Sequence, residues 1–224
     1  MNGKPVREPL TEAERKRFEG HAAEILGRMG LDLNSPGGQE TPRRWIAALW
    51  EMTEGYDGDP KASTLFPVEC PTCPRFERTQ VIEGPIQFTA LCEHHVLPIQ
   101  GSVRVAYLAA EHLIGISKLT RIVRLYAKRF TTQERLSQQL ADAIMSEIEP
   151  RGAAVHVEAV HACMQARGVR EMSSRTETLV LRGEYDRNPA INPVFPLPEE
   201  FRSAFDARPL PAASREFSLL EERP

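Results

Sequence analysis

Apolar residues first recur at helical spacing where Phe18, Ala22, Ile25, Leu26 and Met29 share one face. Thr11 with Glu14 three positions later is the reciprocal arrangement that satisfies two orphan amides, so a helix is expected to open there and end at Gly30. After a polar loop, Asn34 to Glu40, the pair Thr41-Pro42 predicts an N-cap followed by proline at the first helical position. Ile46, Leu49, Trp50 and Thr53 carry the inner face of this second helix, and Gly55 to Pro60 closes it.

From Thr79 the period changes. Val81, Ile82, Ile86 and Phe88 predict a strand over Thr79 to Leu91, interrupted by a bulge or bend at Gly84-Pro85. A second strand, Ser102 to Leu108, alternates Val103, Val105 and Tyr107 against Arg104 and Ala106. Leu119, Ile122, Val123, Tyr126 and Phe130 mark a helix, and Leu136, Leu140, Ile144 and Ile148 another, stopped by Pro150-Arg151-Gly152. Ala153 to Met164 and Thr176 to Tyr185 read as a further strand pair. The expected order is ββααββ behind two N-terminal helices: an α+β fold with an antiparallel sheet and two helices on one of its faces. The expected division is a helical region over 1–60, the ββααββ unit over 61–187 and an extension over 188–224. Seven of the chain's 18 prolines fall in that last stretch, which reads as an extended, surface-hugging or mobile segment.

Composition narrows the function classes. Lys and Arg number 28 against 31 Asp and Glu, a formal charge of −3, which gives no electrostatic reason to expect nucleic acid or an anionic membrane as partner. With 41% hydrophobic and 26% charged residues, the 224-residue chain is not disordered as a whole. The first residues are polar and broken by Pro5 and Pro9, and no run of about 18 apolar residues occurs, so neither signal peptide nor membrane span is expected. Four cysteines are too few for a disulfide scaffold, and the histidines beside Cys92 and Cys163 point to metal or thiol chemistry in a reducing compartment, the cytoplasm.

Cys92-Glu93-His94-His95 presents a thiolate and an imidazole at Cys-x-x-His spacing. In the predicted strand through His161-Ala162-Cys163, residues two apart share a face, so His161 and Cys163 are expected to point the same way. If the two tracts are neighbours, Cys92, His95 and Cys163 form a Cys₂His set that leaves zinc one open position for water, the mark of a catalytic site. His94 and His161 then remain as imidazoles suited to proton transfer, with Glu93 in a supporting role. Two alternatives stand beside this one. The five residues are packed core, or Cys70 and Cys73 join Cys92 and His95 in a closed structural site.

Gly115-Ile116-Ser117-Lys118 opens a helix, read with Ser117 as its cap. The free amides meet a hydroxyl and a lysine, and Arg121 lies on the same face as Lys118, an arrangement that suits polyphosphate as well as a solvated basic face. At the next helix, Thr131 with Glu134 fits a capping box, and the Glu134 carboxylate equally suits a guanine edge.

These tracts together resemble the GTP cyclohydrolase I family. The likeness runs from Thr41-Pro42-Arg43-Arg44 through Cys92-Glu93-His94-His95-Val96-Leu97-Pro98, Gly115-Ile116-Ser117-Lys118-Leu119 and Gln133-Glu134-Arg135-Leu136. It continues to His161-Ala162-Cys163-Met164 and Arg167-Gly168-Val169. The resemblance implies the tunnelling fold, whose unit is ββααββ, and a Zn2+ cofactor on Cys92, His95 and Cys163 with His94 and His161 as acid/base groups. It implies triphosphate binding by Ser117, Lys118, Arg121 and Arg167, with Arg44 reaching in from a neighbouring subunit, and guanine recognition by Gln133 and Glu134. The implied reaction opens the imidazole ring of GTP at C8, releases C8 as formate and closes a pterin, 7,8-dihydroneopterin triphosphate. The implied assembly is a homo-oligomeric ring, commonly a decamer of two pentamers. Ala90 stands where many members have serine, and the stretch after Asn188 is unlike theirs.

Overall fold

A computed structural model describes residues 7–59, 65–67 and 79–188. Cys70, Cys73 and the proline-rich extension lie outside the described residues.

Helix α1, Glu12–Arg28, opens with the expected capping box: Thr11 accepts from the Glu14 amide and Glu14 reaches back to the Thr11 amide. Gly30 follows its end with φ 103°, a conformation that costs glycine little. Helix α2, Thr41–Met52, starts one residue earlier than its sequence predicts, with Glu40 at the cap and Pro42 inside the first turn. A 3₁₀ turn, Glu54–Tyr56, follows, then the short strand β1, Leu65–Pro67.

The remainder runs β2 Gln80–Cys92, β3 Pro98–Leu108, β4 His112–Ile114, α3 Ile116–Ala127, β5 Phe130–Thr131, α4 Gln133–Ile148, β6 Gly152–His161, α5 Ala162–Gln165, β7 Thr176–Gly183 and α6 Glu184–Arg187. The long elements keep the ββααββ order, and the class is α+β. The main sheet is ordered β5-β2-β3-β6-β7, antiparallel except for the two-residue parallel pairing of β5 with the end of β2. The register of β2 on β3 slips between Glu83 and Ile86, at the expected Gly84-Pro85 interruption, where the peptide is cis.

Helix α3 packs on β2, and α4 on β6 and β7. Period-two alternation explains why one face holds them: Ile86, Phe88, Ala90 and Cys92 of β2 point into the core with Val155 and Val157 of β6. Leu119, Ile122 and Val123 of α3 and Leu136, Leu140 and Ile144 of α4 meet them there. The opposite face carries Arg104, His156 and Glu158, and His156 contacts Glu177 at 2.9 Å. Strands β3 and β6 approach so closely at Gly101 that a Cβ there would lie 2.0 Å from the Glu158 carbonyl oxygen, which demands glycine.

Three predicted details change. Helix α3 begins at Ile116 with Gly115 at its cap, so Ser117 is a first-turn residue rather than the cap. Helix α4 is capped by Thr132, whose hydroxyl accepts from the Arg135 amide; Thr131 belongs to β5, and no capping box with Glu134 forms. Strand β6 ends at His161, and Cys163 stands on the one-turn α5. Alternation along a strand therefore does not relate His161 to Cys163. Strands β1, β4 and β5, of two or three residues, are too short to carry a period.

Candidate functional site

The turn between β2 and β3 gathers the first tract. The Val96 amide donates to the Cys92 carbonyl at 2.8 Å and the Cys92 amide to the Leu97 carbonyl at 2.9 Å, which curls the chain back on itself. Val96 holds φ 55°, a left-handed conformation rare for a β-branched residue. Inside the turn, Cys92 Sγ lies 3.9 Å from His94 Nδ1 and 3.8 Å from His95 Nδ1. The Glu93 amide donates to the Thr131 carbonyl, so the turn is sewn to β5.

The second tract arrives from β6. Ile99 of β3 pairs with His161, and the chain then turns into α5, bringing Cys163 to the same place. One ligand atom each from Cys92, His95 and Cys163 lies within 4.8 Å of the other two. The set runs from buried Cys92 through half-buried Cys163 to exposed His95, so an ion there would be reached from one side. Two thiols and an imidazole are donors that suit zinc. Burial pushes the Cys163 thiol up, and the neighbouring Cys92 adds to the shift. Three such donor atoms converging on one point from two tracts of chain fit a metal.

His161 stands outside this set. Its Nε2 lies 2.8 Å from Gln133 Oε1. Desolvation lowers its pKa below the usual histidine range, and the charge of Glu134 opposes the shift. His94 is exposed at the rim, 3.8 Å from Glu93 Oε1 through its Nε2.

Of the two residues expected at a guanine edge, Glu134 is exposed, whereas Gln133 is 1% exposed and turned into the sheet. The signal for this was in the sequence: Gln133, Leu136, Ser137, Leu140 and Ile144 fall on one helical stripe, and all are buried. Sequence reasoning also missed Arg135, which pairs with Glu93 through both of its terminal nitrogens.

Ser117 and Arg121 share a cleft of about 780 Å³ with Arg124 and Lys128, faced by Glu54 and Asp59. Arg121 pairs with Asp59 at 3.2 Å. The cleft's floor is set by the turn after α2, where the Gly55 amide donates to the Lys128 carbonyl and Arg129 Nε donates to the Gly55 carbonyl. Lys118, Arg167 and Arg44 are not among the described residues lining it; Arg167 and Arg44 are exposed elsewhere on the chain.

The family model described as GTP cyclohydrolase I matches residues 18–195. A Campylobacter curvus protein named GTP cyclohydrolase 1 is 40% identical over 174 residues, 76% of this chain and 88% of its own length. The proteins of that name from Parabacteroides distasonis and Deinococcus radiodurans are 38% and 39% identical, each over 77% of this chain and over 87% and 78% of their own lengths. Among solved structures, the apo archaeosine synthase QueF-Like covers 47% of this chain and 92% of its own, at a TM-score of 0.38 and 15% identity. A match over that much of the chain, together with relatives of that identity, shows that the chain belongs to the GTP cyclohydrolase I family of enzymes.

Proposed function

We propose that the chain is a zinc-dependent GTP cyclohydrolase I: GTP and one water give formate and 7,8-dihydroneopterin triphosphate. The observation that supports this most is the meeting of Cys92, His95 and Cys163 from two distant tracts, with His161 on the strand that leads to Cys163. Cys92, His95 and Cys163 would hold the ion. When bound, zinc supplies Lewis acidity that makes water nucleophilic near neutral pH.

This chain's own residues do the rest. Attack of water at C8 breaks the imidazole ring, and the nitrogen that departs needs a proton, which His161 or His94 supplies as a general acid. A second hydrolytic step, taking up a second water, frees C8 as formate; the opened ribose rearranges from aldose to ketose, and condensation of its carbonyl with the amine that formate leaves closes the new ring with loss of one water, so that one water is consumed overall. Desolvation of His161 keeps its imidazole neutral between transfers. The exposed Glu134 carboxylate accepts from the guanine edge. Ser117, Lys118, Arg121 and Arg167 bind the triphosphate, with Arg44 from a neighbouring subunit in the ring assembly of the family. In this role Arg121 exchanges its ion pair with Asp59 for a phosphate oxygen. These contacts lie remote from C8 and act by holding the base in register. A cytoplasmic place accords with free thiols that must stay reduced to hold metal.

The test is incubation of purified protein with GTP, following formate and pterin fluorescence with metal analysis alongside. One metal per chain with formate and pterin in equal amounts supports the proposal. Metal-loaded protein that releases no formate from GTP refutes it.

A further inference from the structure

Gln133 stands at the first position of α4, on its buried stripe. Its side-chain Nε2 lies 3.1 Å from the Val157 carbonyl oxygen of β6 and 2.9 Å from the Thr176 carbonyl oxygen of β7. Carbonyls only accept hydrogen bonds. An amide turned the other way would set oxygen against two oxygens in a buried site. The NH₂ group therefore faces the strands, and its two hydrogens are used there; the 3.4 Å contact to Thr178 Oγ1 shares one of them.

The atom left over is Oε1, 2.8 Å from His161 Nε2. An amide oxygen cannot donate, so the imidazole nitrogen does. We infer that Gln133 is a positioning residue: it fixes the orientation of the His161 ring, with Nε2–H donating to the amide oxygen and Nδ1 as the ring nitrogen without hydrogen.

The surrounding hydroxyls run in one consistent direction. Ser137 Oγ donates its single hydrogen to the Gln133 carbonyl oxygen at 2.8 Å. At the 2.6 Å contact between Ser137 and Thr178, Thr178 must then be the donor. Ser137 is 0% exposed and Gln133 1%, so no solvent competes for these bonds. Sheet carbonyls thus orient Gln133, and Gln133 orients His161.

This inference rests on the cyclohydrolase reading only where His161 moves protons in the reaction. The direction of the hydrogen bonds is independent of it. Neutron diffraction from perdeuterated, zinc-loaded crystals at about pH 8, where an ordinary histidine is neutral, reads them directly. The expected map has a deuteron on His161 Nε2 and ND₂ of Gln133 facing Val157 and Thr176. A deuteron on Nδ1 with Nε2 bare, or the amide oxygen facing the strands, overturns the inference.

Gln133→Leu gives the kinetic counterpart. Its kcat for formate release should fall about 10- to 100-fold. KM for GTP should stay within about twofold and zinc content should be unchanged. A raised KM with kcat intact would make Gln133 a guanine contact and also overturn the inference. If wild-type protein releases no formate at all, the cyclohydrolase reading fails, and the neutron map still decides the tautomer.

Discussion

Arg135 grips both carboxylate oxygens of Glu93, one bond running from Nη2 to Oε1 at 2.9 Å and the other from Nη1 to Oε2. Glu93 lies inside the turn that carries Cys92 and His95, and Arg135 lies two residues beyond Gln133. The pair therefore ties the turn of Cys92 and His95 to the first turn of α4, where Gln133 contacts His161. A planar fork meeting a carboxylate face to face fixes direction as well as distance.

Breaking that tie should loosen the metal without unfolding the protein. Glu93→Gln keeps the side chain's shape and removes its charge. Zinc affinity is expected to fall on the order of tenfold, read by competition with a chromophoric chelator. Unchanged affinity would show that the turn holds its shape through backbone bonds alone.

Cys163→Ser should abolish formate release and lower bound metal while the circular dichroism spectrum stays that of the wild type. The double variant Cys70→Ser, Cys73→Ser should keep both metal and activity. The opposite pattern, with zinc lost from the double variant, would move the site to the structural arrangement in which Cys70 and Cys73 are ligands.

Leu140 is 0% exposed between α4 and the sheet. Leu140→Ala removes buried methyl groups and leaves a cavity, so unfolding in urea should show a loss of about 2–5 kcal/mol. A loss below about 1 kcal/mol would mean that the core collapses around the gap.

Burial pushes the Tyr185 phenol up to about 12, with a contact to Gln80 opposing the shift. A group whose folded pKa is raised contributes stability that is present below its unfolded pKa, about 10 for tyrosine, and lost as pH rises through the folded value. Stability should therefore drop between about pH 10 and 12, by on the order of 2 kcal/mol from this residue. In Tyr185→Phe the urea midpoint should fall less steeply across that window. Parallel curves for the two proteins would exclude the residue as the cause.

The sequence carried the fold where elements were long and rules were local. Thr11 and Glu14 announce α1 because both capping partners lie within four residues. Period-two alternation found β3 and period-3.6 spacing found α4 for the same reason. What failed was the boundary. Two adjacent threonines can each cap α4, and only the turn of the chain after β5 selects Thr132 over Thr131. The strand expected over Ala153 to Met164 carries Cys163 with it, yet β6 ends at His161 and Cys163 stands on α5. The donor set Cys92, His95 and Cys163 was legible from Cys-x-x-His spacing and the pairing of two tracts, and only the strand alternation relating His161 to Cys163 does not hold. The burial of Gln133 was legible in the helical stripe it shares with Leu136 and Leu140; its partners on β6 and β7 were not, because they lie 24 or more residues away in sequence.

The left-handed Val96 closes the turn around Cys92, and a β-branched residue there costs on the order of 1–3 kcal/mol. Strands on both sides of the turn bear that strain, so the pocket for the ion takes shape with the sheet itself. A metal would then enter a finished socket, unlike a zinc finger, which collapses around its ion. The chain should survive chelation intact and regain activity when ions are restored, so that supply of the metal, rather than refolding, governs how much enzyme is switched on.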